Sequence, residues 1–222
     1  RLRIDLEENL PQFYGSRGYL DFQVISDTVI VDPNSGKSIL RVEVDEGEQY
    51  RLGSFSVNGN TQFTTEELEV LFQEAGGGIL SSLGFGGGDS EGVDGQVFDA
   101  TKFNEAMVTA EEQYRNEGYL YIRINPVIDR RPGTNGEAPI VDAVWEVVEG
   151  APALVNRIAI IGNEYTYEWV IRNQIFVLPG DVYSQSRVLR SYQNISSLGF
   201  FEAPMPFPDI QPNEDGDVDI TF

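Results

Sequence analysis

The chain has 222 residues, and its 41% apolar and 23% charged content is that of a folded globular protein, with room for one large domain or two to three small ones. Its 36 acidic residues against 15 basic ones give a net charge of -21, which repels a nucleic-acid backbone or an anionic lipid surface over most of the molecule. With no cysteine and no histidine there is no disulfide framework, thiolate metal site or imidazole chemistry; no apolar run approaches the roughly 18 residues of a bilayer-spanning helix, and Arg1 opens no signal peptide.

In chain order, residues 2–14 read as the end of a helix that Pro11 would kink or restart. Gly18-Tyr19-Leu20 follows. A strand over residues 19–30, a turn at Asp32-Pro33-Asn34-Ser35-Gly36 and a strand over residues 38–44 then lead to Glu46-Gly47. Phe55 and Val57 alternate with polar neighbours before Gly59-Asn60, as in a half-buried strand ending in a turn. Thr64 and Glu67 form a capping box for a helix whose apolar face carries Leu68, Leu71 and Phe72. Residues 75–97 are glycine-rich and expected to form a flexible loop, in which Ile79, Leu80, Leu83 and Phe85 could fold back onto the domain or touch a partner. A second helix from Asp99 sets Phe103, Met107, Ala110 and Tyr114 on one face and stops at Gly118 in the left-handed cap. Strands over residues 119–128 and 140–148, joined through Pro132-Gly133-Thr134-Asn135-Gly136, run to Glu149-Gly150. The rest follows the same plan: Ile158 and Ile160 on a strand, a Gly162-Asn163 turn, Val188, Tyr192 and Ile195 on a helix, Gly199-Phe200, and the alternating Val218, Ile220 and Phe222.

This self-similarity defines the organisation. Glu46-Gly47 and Glu149-Gly150 each precede a Gly-Asn turn by the same twelve positions, and Gly18-Tyr19-Leu20 recurs as Gly118-Tyr119-Leu120. From Asn60 to Gly118 is 58 positions and from Asn163 to Gly199 is 36, an excess of 22 that matches residues 75–97. The chain therefore reads as three strand-helix-helix-strand-strand units at residues 1–47, 48–150 and 151–222, the first lacking its opening strand and helix. Both ends look like cuts through a unit. Gly59, Gly162, Gly118 and Gly199 are the structural turn glycines.

These signatures resemble POTRA (polypeptide transport-associated) domains over nearly the whole chain. Leu198-Gly199-Phe200-Phe201-Glu202, after Pro179-Gly180, resembles the barrel-adjacent POTRA domain of the BamA family. The resemblance implies an α+β fold of tandem domains, each a three-stranded mixed sheet in the order first, third, second strand, covered by two helices. It also implies the periplasmic part of a Gram-negative outer-membrane protein. Such an arm recruits unfolded outer-membrane proteins and assembly-complex accessory subunits beneath a C-terminal β-barrel, without a cofactor or a membrane span of its own. POTRA arms also serve two-partner secretion, a translocation and assembly module, and organelle import barrels; three tandem units disfavour the two-partner type. A spacer without client binding is the structural alternative. The insertion at residues 75–97 departs from the family pattern.

Catalytic motifs are missing. There is no Gly-x-Ser-x-Gly elbow, and no enzymatic activity is expected. Asp215, Asp217 and Asp219 have the first spacings of a calcium loop, but Ile220 stands where glycine is required, so a solvated hairpin turn is expected instead. Gly86-Gly87-Gly88-Asp89 occurs once and no lysine follows, which is the pattern of a loop rather than a phosphate cradle. Tyr119, Trp145 and Phe200 are expected on strands within the core.

In the implied fold the second strand of each unit lies at a sheet edge, where an extended segment of another chain can pair. Pro126 in the middle unit and Pro204, Pro206 and Pro208 in the last are assigned to such strands, since only an edge tolerates them. The last edge should then lack donors. The first unit has no proline over residues 21–30, so Asp21, Phe22, Gln23, Val24, Ile25, Ser26, Asp27 and Thr28 are the expected client template. Tyr121, Ile122, Arg123 and Ile124 form the expected second, partly open edge.

Overall fold

A computed structural model describes residues 5–31, 37–76, 95–133, 137–201 and 204–222. A wide helical turn, Asp5–Asn9, leads into α1 (Leu10–Gly15), which carries Pro11 in its first turn, where the missing N–H has no helical partner to lose. Pro11 thus restarts the helix. Strands β1 (Gln23–Val31) and β2 (Ser38–Asp45) pair antiparallel as a two-stranded ribbon. The middle repeat comprises β3 (Arg51–Asn58), α2 (Thr65–Gly76), α3 (Ala100–Asn116), β4 (Arg123–Arg131) and β5 (Ile140–Val148). The last comprises β6 (Val155–Ala159), α4 (Glu168–Arg172), α5 (Gln185–Ser197), β7 (Asp209–Pro212) and β8 (Val218–Thr221).

The two complete sheets have the orders β3-β5-β4 and β6-β8-β7. First and third strands run parallel, with Val57 opposite Trp145 and Ile158 opposite Ile220. The second strand β7 returns antiparallel to β8. This is the α+β arrangement expected from the sequence, a mixed three-stranded sheet with two helices. The capping box at Thr64 closes as anticipated: the Thr64 N–H donates to Glu67 Oε2 at 2.8 Å and the Glu67 N–H to Thr64 Oγ1 at 3.2 Å. Asp99 caps α3 by accepting from the N–H groups of Thr101 and Lys102 at 3.0 and 3.1 Å. Each such cap is worth about 0.5–2 kcal/mol.

The contacts divide the chain into two compact bodies, Arg1–Asn58 with Phe63–Val108 and Asn125–Glu146, and Gly59–Gln62 with Thr109–Ile124 and Val147–Phe222. The division falls within α3 and β4 rather than between repeats. In the first body, Leu52, Leu68, Phe72, Phe98, Phe103, Val141 and Trp145 are buried. Phe55 packs edge-on to Trp145 with centroids 5.0 Å apart, and Phe103 lies 5.7 Å from Phe72 and 5.9 Å from Trp145. In the second body, Val155, Ile158, Val177, Tyr183, Val188, Val218 and Ile220 form the core.

Four expectations are corrected. Tyr119 and Phe200 lie just past helix ends, off the strands; Tyr119 is half-buried and Phe200 is 62% exposed, while Trp145 is fully buried. Only the turn glycine after the helix is shared between those positions, and it does not dictate where the next ring points. Pro204, Pro206 and Pro208 precede β7, which begins only at Asp209, after the last proline of the series, because proline cannot donate to a ladder. Strands β1 and β4 each start five residues after their cap glycines, at Gln23 and Arg123, rather than directly after them. The loop of residues 75–97 is shorter than expected: α2 runs to Gly76, and Gly95 and Gln96 turn onto β3 through hydrogen bonds with Leu52, with Val97 bridging Arg51. The insertion residues Ile79, Leu80, Leu83 and Phe85, and Gly86 to Asp89, lie outside the described residues.

Candidate functional site

A sheet edge becomes a binding site when its N–H and C=O groups are unpaired and its flanks are open. On β3 and β6 the start of the outer side is covered by the segment that enters the second helix. Leu52 N–H donates to the Gln96 carbonyl at 2.8 Å, Gly95 N–H to Leu52 at 2.6 Å, and Phe98 N–H to Tyr50 at 3.0 Å. The last repeat builds the same cover: Val155 to Asp181 at 2.8 Å, Gly180 to Val155 at 2.7 Å, and Tyr183 to Ala153 at 3.0 Å. Gly95 and Gly180 both adopt positive φ, 83° and 92°, to make the turn. The sequence held this signal, a glycine four residues before each helix-capping Asp99 or Ser184, but the insertion at residues 75–97 obscured its repetition.

The remaining edges among the described residues are β1, β4, β7 and the outer side of β2, the position that the first strand takes in the two complete sheets. The N–H groups of Val218 and Phe222 donate to Leu154 and Ala159, so the even residues of β8 face β6 and Asp219 and Thr221 face β7. Their partners Gln211 and Asp209 therefore point inward, leaving Ile210 and Pro212 directed outward. Proline supplies no donor, so Ile210 carries the one outward N–H of β7. That edge is nearly closed.

The ribbon is different. Arg51 N–H donates to Pro139, which in a parallel ladder turns Val141 and the other odd residues of β5 toward β3 and its even residues toward β4. Glu149 follows β5 as Glu46 follows β2, so residues 39, 41, 43 and 45 of β2 take the positions that face β1. Their partners are Ile30, Thr28, Ser26 and Gln23. Val24, Asp27, Val29 and Val31 thus direct their N–H groups outward, and the register shift at Ile25 marks a bulge. β1 contains no proline over nine residues, and Ile25, Val29 and Val31 are 61, 54 and 58% exposed.

Of the expected template residues, Gln23, Val24, Ile25, Ser26, Asp27 and Thr28 lie on this strand. Asp21 and Phe22 do not. The Asp21 carboxylate accepts from Tyr50 Oη at 2.8 Å and pairs with Arg130 at 2.5 Å, and that hydrogen bond raises the Tyr50 phenol above its ordinary value. Phe22 stacks on Tyr14 with centroids 4.1 Å apart. In the second edge, Arg123 and Ile124 open β4, Tyr121 and Ile122 precede it, and Ile122 and Ile124 are buried.

The acidic turn near the C-terminal end is engaged by protein. Asn213 Oδ1 accepts from the N–H groups of Asp215 and Asp217 at 2.9 Å each, Asp217 Oδ1 accepts from Leu154 at 2.9 Å, and Asp219 pairs with Arg157 at 3.2 Å. Among the described residues no group of three carboxylates, histidines or cysteines could hold a metal ion, and no helix is long and apolar enough to cross a membrane.

The POTRA family model, described as a surface antigen variable number repeat, matches residues 50–150 and 153–222. The chain belongs to the POTRA family. It is 24% identical to the outer membrane protein assembly factor BamA of Neisseria meningitidis over 196 residues, covering 88% of this chain and 22% of that protein. It is 29% identical to a putative outer membrane protein assembly factor of Treponema pallidum over 213 residues, covering 94% and 23%. The chain thus spans less than a quarter of these relatives. The crystal structure of Haemophilus influenzae BamA POTRA3-5 superposes with a TM-score of 0.69 at 21% identity, over 99% of this chain and 78% of that one. Haemophilus ducreyi BamA lacking POTRA domains 1-3 gives 0.58 at 20% identity, over 78% and 28%. These POTRA repeats are of the BamA kind that the sequence motifs indicated, and the solved structures share their fold.

Proposed function

We propose that this chain is the periplasmic protein-binding arm of an outer-membrane β-barrel assembly factor, and that it recruits unfolded outer-membrane proteins by strand addition. Its POTRA domains divide at residues 1–47, 48–150 and 151–222, with an insertion in the second. They act with accessory subunits and with a β-barrel on the parent chain. They work by binding, not by catalysis.

The observation that supports this reading is the unequal treatment of the edges. β3 and β6 are covered at their starts by the lead-in segments at Val97 and Val182, and Pro212 leaves β7 one outward donor, at Ile210. β1 keeps its outward N–H groups beside exposed Val29 and Val31. Main-chain pairing along β1 would bind many sequences, and the alternating apolar side chains would favour the alternating pattern of a barrel strand. The test is a titration with an extended peptide from an outer-membrane barrel strand. Asp27→Pro, which removes an outward donor without touching the β1–β2 ladder, should weaken binding at least about tenfold, roughly 1.4 kcal/mol. Pro206→Ala should leave it unchanged. Equal affinity for Asp27→Pro and the parent chain would reject β1 as the template.

A further inference from the structure

Both links between consecutive repeats are closed by the same four groups. In the first, Tyr14 Oη donates to Glu46 Oε1 at 2.9 Å, and the Tyr50 N–H donates to the Gly18 carbonyl at 2.9 Å. In the second, Tyr114 Oη donates to Glu149 Oε1 at 2.9 Å, and the Ala153 N–H donates to the Gly118 carbonyl at 2.9 Å. The tyrosine stands four residues before the cap glycine, and the glutamate four residues before the donor, in both copies. The three linker residues, Gly47-Glu48-Gln49 or Gly150-Ala151-Pro152, are therefore pinned at both ends to one helix terminus. Each glycine after the glutamate adopts positive φ, 69° and 72°.

The second link carries more. Glu149 Oε1 also accepts from the N–H groups of Thr61 and Gln62 at 2.7 and 2.9 Å, and Oε2 accepts from the Thr61 hydroxyl. Asn116 Oδ1 accepts from Ser186 N–H at the start of α5 at 2.8 Å. Glu149 is 8% exposed. Burial by itself would raise its carboxyl, but the hydrogen bonds from Thr61, Gln62 and Tyr114 hold it below the ordinary value, so it is charged at neutral pH. A buried charge with four donors is held in one geometry, because removing any partner leaves the carboxylate undersatisfied.

We propose that the tyrosine–glutamate pair is a staple that makes each inter-repeat link rigid, and that Tyr114 and Glu149 are the positioning residues of the second. Neither staple is split by the division into bodies, the first lying wholly in the first body and the second wholly in the second, and the chain's contact division passes through α3 instead of through the links. The device is repeat-specific: four residues before Gly199 the last repeat has Ile195, so it cannot build the same pair.

The absence of cysteine allows a direct test by spin labelling. One nitroxide pair on exposed Glu112→Cys and Gln193→Cys crosses the second link, and a second pair on Gln193→Cys and Gln211→Cys lies within the last repeat. Pulsed dipolar spectra of the parent chain should give narrow distance distributions for both pairs. Tyr114→Phe should broaden the first at least twofold and leave the second unchanged. Glu149→Ala should do the same, and the double variant should add nothing beyond the singles. An unchanged cross-link width in Tyr114→Phe would overturn the staple, whatever Glu149→Ala does. Broadening of both pairs would overturn it equally, since the residues would then hold the fold and not the link.

Discussion

Replacing Gly118 with alanine separates two costs that glycine avoids at this position. The first is backbone strain: Gly118 has φ of 95°, where an L side chain costs about 1–2 kcal/mol. The second is space. A Cβ at Gly118 would lie 2.6 Å from Val182 Cγ1 and 3.3 Å from Pro152 Cβ, against an optimal carbon separation of about 3.5–4.0 Å. Overpacking of that kind costs about 1–3 kcal/mol more, and Val182 has limited freedom to withdraw because it bridges Leu154 in the cover of β6. The total is about 2–5 kcal/mol. Gly162 provides the control, with φ of 77° and nothing within 4 Å of an added Cβ, so Gly162→Ala should cost only the strain of about 1–2 kcal/mol. Urea unfolding followed by far-UV circular dichroism and by tryptophan fluorescence, with coincident transitions, gives both values. Equal losses for the two variants would refute the close packing assigned to the Gly118 link.

Further outcomes follow from the core, the buried carboxylate and the insertion. Trp145→Ala, at a fully buried ring packed against Phe55 and Phe103, should destabilise by about 3–5 kcal/mol in the same assay, and a loss below about 1 kcal/mol would contradict its place in the core. Because the folded state lowers the Glu149 carboxyl, its contribution is complete above the ordinary carboxylate value and is lost as pH falls through the folded one. The stability gap between the parent chain and Glu149→Gln should therefore narrow on acidification, and a gap constant from about pH 7 to pH 3 would remove the linkage. Replacing residues 77–94 with a short turn, while keeping Gly95, Gln96 and Val97 on β3, should shift Tm by no more than a few degrees; a fall beyond about 10 °C would assign the insertion a structural role.

The repeats were legible because their punctuation is chemical. Gly59 must take φ of 84° at a point where a Cβ would collide with the Val147 carbonyl, and Gly118 must end α3, so both positions retain glycine whatever the neighbours. The capping box at Thr64 and the spacing of Phe103, Ala110 and Tyr114 likewise report local geometry, and the helices formed there. What sequence could not convey was the start of each second strand. Tyr19 and Tyr119 look like strand residues by composition, but the chain first turns past the link, and pairing begins at Gln23 and Arg123. Asp21 lies in that same turn, before the strand, and its partners Tyr50 and Arg130 are remote in sequence. The roles of Tyr114 and Glu149 were hidden because a tyrosine on an apolar helix face and a glutamate ending a strand are each ordinary alone. Only their hydrogen bond, repeated at Tyr14 and Glu46, shows them to be a pair.

The claim that β1 is the client template is tested most directly by amide hydrogen exchange of the chain with and without an extended outer-membrane-barrel peptide. The account predicts slowed exchange at the outward amides of Val24, Asp27, Val29 and Val31, with residues 209–212 unaffected. Protection confined to β7, or to β4 with β1 unchanged, would contradict it.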